Sequence, residues 1–139
     1  MKEITLATGL ETYVINGVCQ LTFNPTDSVF LEKLLDVFDR LDSKQETYRT
    51  EVEKRQGDRK LFEQARIMDG EMREIINTAL GTDVCGPLFG EMNVYAFADG
   101  LPLWANLMFG LLDEIDAAVV RERKAYDPRI AKYTKKYHK

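Results

Sequence analysis

The sequence predicts a mainly α protein with a small N-terminal β-hairpin, an α+β arrangement in which a long antiparallel helical hairpin packs on a C-terminal core helix. Three observations carry this prediction. Period-two patterning is confined to the segment before Pro25. From Ser28 onward, apolar residues recur at the three- and four-residue spacing of a helix face. Strong breaks fall at Gln56-Gly57-Asp58, at Gly81 and across Gly86 to Gly100, which separates the helical stretches from one another. With 139 residues and 16.0 kDa the chain suits one domain, expected over residues 1–127 and followed by a basic tail at 128–139.

Within the β-patterned region, 1–24, Asn16-Gly17 lies between the runs Thr12 to Ile15 and Val18 to Phe23. Asn-Gly is the preferred pair for a tight turn because both central residues need positive φ, so a hairpin is expected there. Two strands alone are marginal in water. The hairpin must therefore lie on the helical body, gain Lys2 to Ala7 as a third strand, or add to a partner's sheet.

Asn24-Pro25-Thr26-Asp27 ends the strand and caps a first helix over 27–55. Phe30, Leu31, Leu34, Leu35, Phe38 and Leu41 form its seam. Its second half, Asp42 to Lys54, keeps only Tyr48 and Val52 as apolar anchors, which points to a helix that projects or packs on a partner. Gly57 is a stop and Asp58 the next cap. The second helix, 58–80, carries Leu61, Ala65, Met68, Met72, Ile75 and Ala79 at alternating spacings of four and three, with Phe62, Ile76 and Leu80 widening the stripe. Residues 82–99 are cut by glycines and Pro87, and two short helical turns are expected, Asp83 to Phe89 and Asn93 to Ala98. Asp99-Gly100-Leu101-Pro102 then launches the core helix, 101–124, whose face is Leu103, Trp104, Leu107, Met108, Leu111, Leu112, Ile115 and Val119.

The net charge of -4 conceals an asymmetry. Residues 121–139 hold eight Lys/Arg against Glu122 and Asp127, so the body is acidic and the tail basic. No apolar run is long enough to span a membrane and no secretory leader is apparent, which places the chain inside a cell. Cys19 and Cys85 lack the spacing zinc needs and read as buried free thiols.

No catalytic, cofactor or metal site is expected. Asp113, Glu114 and Asp116 flank an apolar face and read as solvated helix surface. Asp36, Asp39 and Asp42 share one face of the first helix and could attract a cation or a basic partner, although calcium sites usually come from loops with alternating oxygen ligands. His138 lies in a charged tail where nothing would fix its tautomer. Cys85 has no histidine base, and the glycines of Gly81 to Gly90 match no nucleotide-binding pattern. Candidate chemistry is thus partner binding, by Tyr48 and Val52 on the first helix and by Arg129, Lys132, Tyr133, Lys135, Lys136 and Tyr137 in the tail. Basic residues interleaved with tyrosines can contact phosphates and stack on bases, but an acidic body repels the same phosphates, so a protein partner is favoured over nucleic acid. A neighbouring copy answering the acidic faces stays open.

Asn24-Pro25-Thr26-Asp27, the stretch Met92-Asn93-Val94-Tyr95-Ala96-Phe97-Ala98-Asp99-Gly100-Leu101-Pro102-Leu103-Trp104-Ala105-Asn106, and Pro128-Arg129-Ile130 through Tyr137-His138-Lys139 resemble small proteins of tail-morphogenesis regions in Firmicutes prophages. The likeness spans most of the chain, and members look like phage tail assembly chaperones. The resemblance implies a non-enzymatic protein of the bacterial host's cytoplasm that binds the tape-measure protein or tail tube subunits. Two further classes stay open: a phage protein that inhibits a host defence or regulatory factor, and a structural virion component whose hairpin extends a sheet between copies.

Overall fold

The computed structural model describes residues 1–55 and 58–137, so the expected stop at Gly57 and the assessment of His138 lie outside the described residues. The chain is mainly helical, with a small N-terminal antiparallel hairpin and a long last helix.

Strands β1 (Glu11–Ile15) and β2 (Cys19–Phe23) pair antiparallel, Ile15 opposite Cys19 and Tyr13 opposite Leu21. Asn16 and Gly17 both take positive φ, 51 and 70°, and the Val18 amide donates to the Ile15 carbonyl at 3.1 Å, closing the turn. The ladder begins one residue later than the sequence implied. Val18 is an extra, exposed residue, and this bulge aligns Tyr13 and Ile15 with buried Cys19, Leu21 and Phe23. Pairing Ile15 with Val18 instead would turn one strand's apolar side outward. The hairpin lies on the helical body through a stacked aromatic series, Tyr13 to Phe23 at 4.9 Å and Phe23 to Phe30 at 4.3 Å. Lys2 to Ala7 adds no third strand; residues 1–10 are without regular structure.

Helix α1 (Ser28–Glu51) starts where the Asp27 carboxylate accepts the Val29 amide at 2.9 Å. A 3₁₀ turn (Glu53–Arg55) follows it. Helix α2 (Lys60–Leu80) starts where the Asp58 carboxylate accepts the Lys60 amide at 3.0 Å, and it ends at Gly81 in the left-handed region. The two run antiparallel. Leu34, Val37 and Leu41 of α1 meet Ala65, Met68, Met72 and Ile76 of α2 in the core region, whereas Leu35 and Phe62, both assigned to the seams by spacing, are exposed.

The segment after α2 departs from expectation. Helix α3 (Cys85–Phe89) is present, but the second helical turn is not. Instead β3 (Phe97–Ala98) and β4 (Leu101–Pro102) pair across Asp99-Gly100, whose φ values of 54 and 80° make the same kind of tight turn as Asn16-Gly17. Backbone then caps the last helix: the Leu103 and Trp104 amides donate to the Ala96 and Val94 carbonyls at 2.7 and 3.2 Å.

Helix α4 (Leu103–Tyr137) buries Trp104, Met108, Leu111, Ile115 and Ala118 along one seam, with Trp104 edge-on to Phe38 of α1 at 5.6 Å. It does not stop at residue 124. Pro128 lies inside the helix, and residues 128–137 of the expected tail are its last turns. A proline removes one backbone bond and crowds the carbonyl four residues back. Here that carbonyl is Lys124's, in an exposed stretch where water can take the vacated position.

Candidate partner-binding surface

Outer α1 is anchored within the chain rather than offered to a partner. The Tyr48 ring lies flat on buried Tyr95, with centroids 4.1 Å apart and planes 4° apart. Val52 packs against the same core, and the Trp104 indole donates to the Gln45 side-chain oxygen at 2.8 Å. Burial raises the pKa of both tyrosines, which keeps both hydroxyls neutral. Tyr48 and Val52 are therefore internal fasteners. Their partner was illegible in the sequence because it lies in the glycine-cut segment.

That segment is held by polar residues of α2 that spacing alone assigns to solvent. Asp69, Arg73 and Asn77 recur every fourth residue and so share one face. Arg73 pairs with Asp69 at 3.0 Å and donates to the carbonyls of Gly90 and Met92 at 2.8 and 2.6 Å and of Cys85 at 3.4 Å. The other Asp69 oxygen accepts the Val94 amide at 2.8 Å. Asn77 accepts the amides of Val84 and Cys85 at 2.9 and 3.1 Å. This clamp satisfies backbone groups at both ends of α3 and on through residue 94. Cys85 is buried beneath it as a free thiol, its pKa pushed up to about 12 by burial, which makes it a poor nucleophile. Cys19 is likewise buried and free.

The remaining sequence-nominated residues all lie on outer α4. From Val119 to Tyr137 every residue is exposed, a projection of roughly 28 Å at 1.5 Å per residue. Arg121, 3.3 Å from Glu11, ties the start of this stretch to the hairpin. Val119, Tyr126, Ile130, Tyr133 and Tyr137 follow at spacings of seven, four, three and four, so they form one straight stripe, each 44 to 59% exposed. At 100° per residue the stripe is centred about 50° around the helix from the core seam of Trp104, Met108, Leu111, Ile115 and Ala118. Tyr133 and Tyr137 touch at 4.8 Å, and Lys136 sits 5.1 Å from the Tyr137 ring centre. Lys124, Lys132 and Lys135 occupy the opposite face, with Arg129 and Lys136 nearer its edges. Basic and aromatic residues are thus separated by face rather than interleaved, which linear reading of the tail could not reveal. Tyr126 and Ile130, absent from the sequence-based candidates, belong to the stripe; continuing the helical period past Lys124 and through Pro128 reaches both.

Among the described residues no group of three or more His, Cys, Asp or Glu could hold a metal ion, and no helix is long and apolar enough to cross a membrane. The acids Asp36, Asp39 and Asp42 form no such group. No family model matches the chain, and neither does any curated protein or solved structure.

Proposed function

We propose that the protein is a non-enzymatic assembly factor that holds a client protein on outer α4, in the manner of a phage tail assembly chaperone. One observation carries the reading: an exposed, straight apolar stripe on a helix that projects from its own core. Isolated helices shorter than about 12–15 residues are marginal in water, and longer ones gain most of their stability from packing an amphipathic face. Outer α4 has such a face, and Val119, Tyr126, Ile130 and Tyr137 along it are 44 to 59% exposed. The occupant is an amphipathic helix with acidic flanks, because Arg121 to Tyr137 carries seven Lys/Arg against Glu122 and Asp127. The same excess charge disfavours pairing with outer α4 of a second copy. A helix laid in register would meet the stripe through anchors at three- and four-residue spacing.

The sequence likeness to tail assembly chaperones makes the tape-measure protein of the same locus the first client to test. Co-expression is expected to raise its solubility and yield a co-purifying complex. Tyr126→Asp combined with Ile130→Asp and Tyr133→Asp is expected to abolish both while leaving the fold intact. No solubility gain and no co-purification with the unaltered chain would reject the proposal.

A further inference from the structure

Strand β1 has a second edge that no described residue occupies. It pairs with β2 alone, and among the described residues no other strand or backbone group bonds to it. Such an edge is a template for an added strand. Beside it runs a cleft of about 510 Å³, walled on the far side by Leu88, Met92, Leu103 and Leu107. Tyr13 and Ile15, which face the core, line it together with Val14, which faces out, so the cleft follows the strand edge rather than one face. Glu114 is the one charged residue lining it.

Residues 1–8 lie outside any regular element, with Ile4 and Leu6 82 and 76% exposed. In a strand, Lys2, Ile4 and Leu6 fall on one side, and Glu3, Thr5 and Ala7 on the other. One side thus offers two apolar groups and a cation, the complement of an apolar cleft with a single carboxylate. In this structure the segment does not line its own chain's cleft. The Asn24 side-chain amide holds the Thr8 carbonyl at 2.9 Å, at the end of the hairpin away from Asn16-Gly17, whereas the cleft reaches the Asn16 end.

We propose that residues 2–8 of a second copy add to the free edge of β1 as a third strand, with Lys2, Ile4 and Leu6 turned into the cleft. Main-chain bonds supply the pairing and the cleft selects the side chains, as in other cases of strand addition. This contact is separate from the client surface on outer α4, and purified protein alone tests it.

Sedimentation velocity from micromolar to submillimolar concentration is expected to show association of the full chain. Ile4→Asp with Leu6→Asp is expected to leave it monomeric with unchanged circular dichroism. A fluorescein-labelled peptide of residues 1–9 is expected to bind the chain lacking residues 2–8. Gly110→Trp fills the cleft, and a Cβ built at Gly110 meets no atom within 4 Å. It should weaken peptide binding by roughly tenfold or more without lowering the melting temperature. Any one of three results overturns the proposal: a full chain that stays monomeric throughout, association that survives the aspartate pair, or peptide affinity that Gly110→Trp leaves unchanged.

Discussion

Replacing Arg73 with alanine tests the clamp that shapes the centre of the molecule. The guanidinium reaches three carbonyls and one carboxylate, and its side chain is 18% exposed against 19% for Asp69. Not all of these partners lose equally. Gly90 and Met92 are exposed, so water replaces the arginine at their carbonyls in part, and the buried Cys85 carbonyl keeps the Phe89 amide of α3 as a backbone partner. Losing the three bonds from a charged donor therefore costs about 1–3 kcal/mol in all. The ion pair adds only about 1 kcal/mol, because it is partly wet and Asp69 keeps the Val94 amide. Arg73→Ala should therefore destabilise by about 2–4 kcal/mol, a large share of a typical domain stability of about 5–15 kcal/mol. Urea unfolding followed by far-UV circular dichroism measures it. Arg73→Lys keeps the charge but not the planar fork that spans several acceptors, and it should recover less than half of the loss. A loss under about 1 kcal/mol for Arg73→Ala, or full recovery by lysine, would refute the account of residues 84–94 as a segment ordered by side chains.

Four further outcomes are expected. Tyr48→Ala should cost about 2–3 kcal/mol in the same assay, since a half-buried ring leaves its stack on Tyr95, whereas Lys132→Ala and Lys135→Ala should each change stability by less than about 0.5 kcal/mol. Deleting Val18 should be tolerated within about 1 kcal/mol, because a two-residue Asn-Gly turn keeps Ile15 opposite Cys19, while deleting Gln20 should unfold the hairpin by turning Leu21 and Phe23 outward. Burial pushes the Cys85 thiol up to about 12, and a thiol is neutral when protonated, so its contribution is intact below the unfolded value and lost as pH rises from about 9 to 12. Stability should fall by up to about 1.4 kcal/mol per pH unit there, and Cys85→Ala should flatten the first part of that decline in pH-dependent denaturation. Pro128→Ala should increase helical ellipticity, and removing residues 128–139 should leave the melting temperature nearly unchanged; a large drop would mean that this segment packs on the body.

The elements whose apolar residues repeat over long windows were legible in the sequence. The two helices of the hairpin and the core helix appear within a few residues of their expected starts, and the Asn16-Gly17 turn appears where its φ requirement put it. The departures between Gly81 and Leu103 have a common cause. Between Gly81 and Leu103, order comes from side chains distant in sequence, Asp69, Arg73 and Asn77, and local patterning carries no trace of a partner on another element. Asp99-Gly100 was readable by the rule that found Asn16-Gly17. Strands of two residues leave no alternation to flank it, so period-two patterning does not mark the turn. The misassignment of Tyr48 and Val52 followed from the same blind spot, since Tyr95 lies in that segment. Pro128 misled in a different way: its local preference against helix is real, but exposure makes breaking the backbone pattern inexpensive.

That last point bears on how outer α4 works. Pro128 lies about 180° around the helix from Val119 and Tyr137, on the basic side opposite the apolar stripe. The missing backbone bond therefore falls on the face turned away from a client. The stripe crosses this point without a gap, Tyr126 before the proline and Ile130 after it, so a docked helix would bridge the weak point from the other side. Prolines kink helices where one hydrogen bond is lost. A kink centred there re-aims Ile130, Tyr133 and Tyr137 relative to Val119 and Tyr126 while keeping all five on one side. In the proposed role, a rigid projecting helix would suit one client geometry only, whereas one with its weak point behind the stripe would follow the curvature of a long helical client along its length.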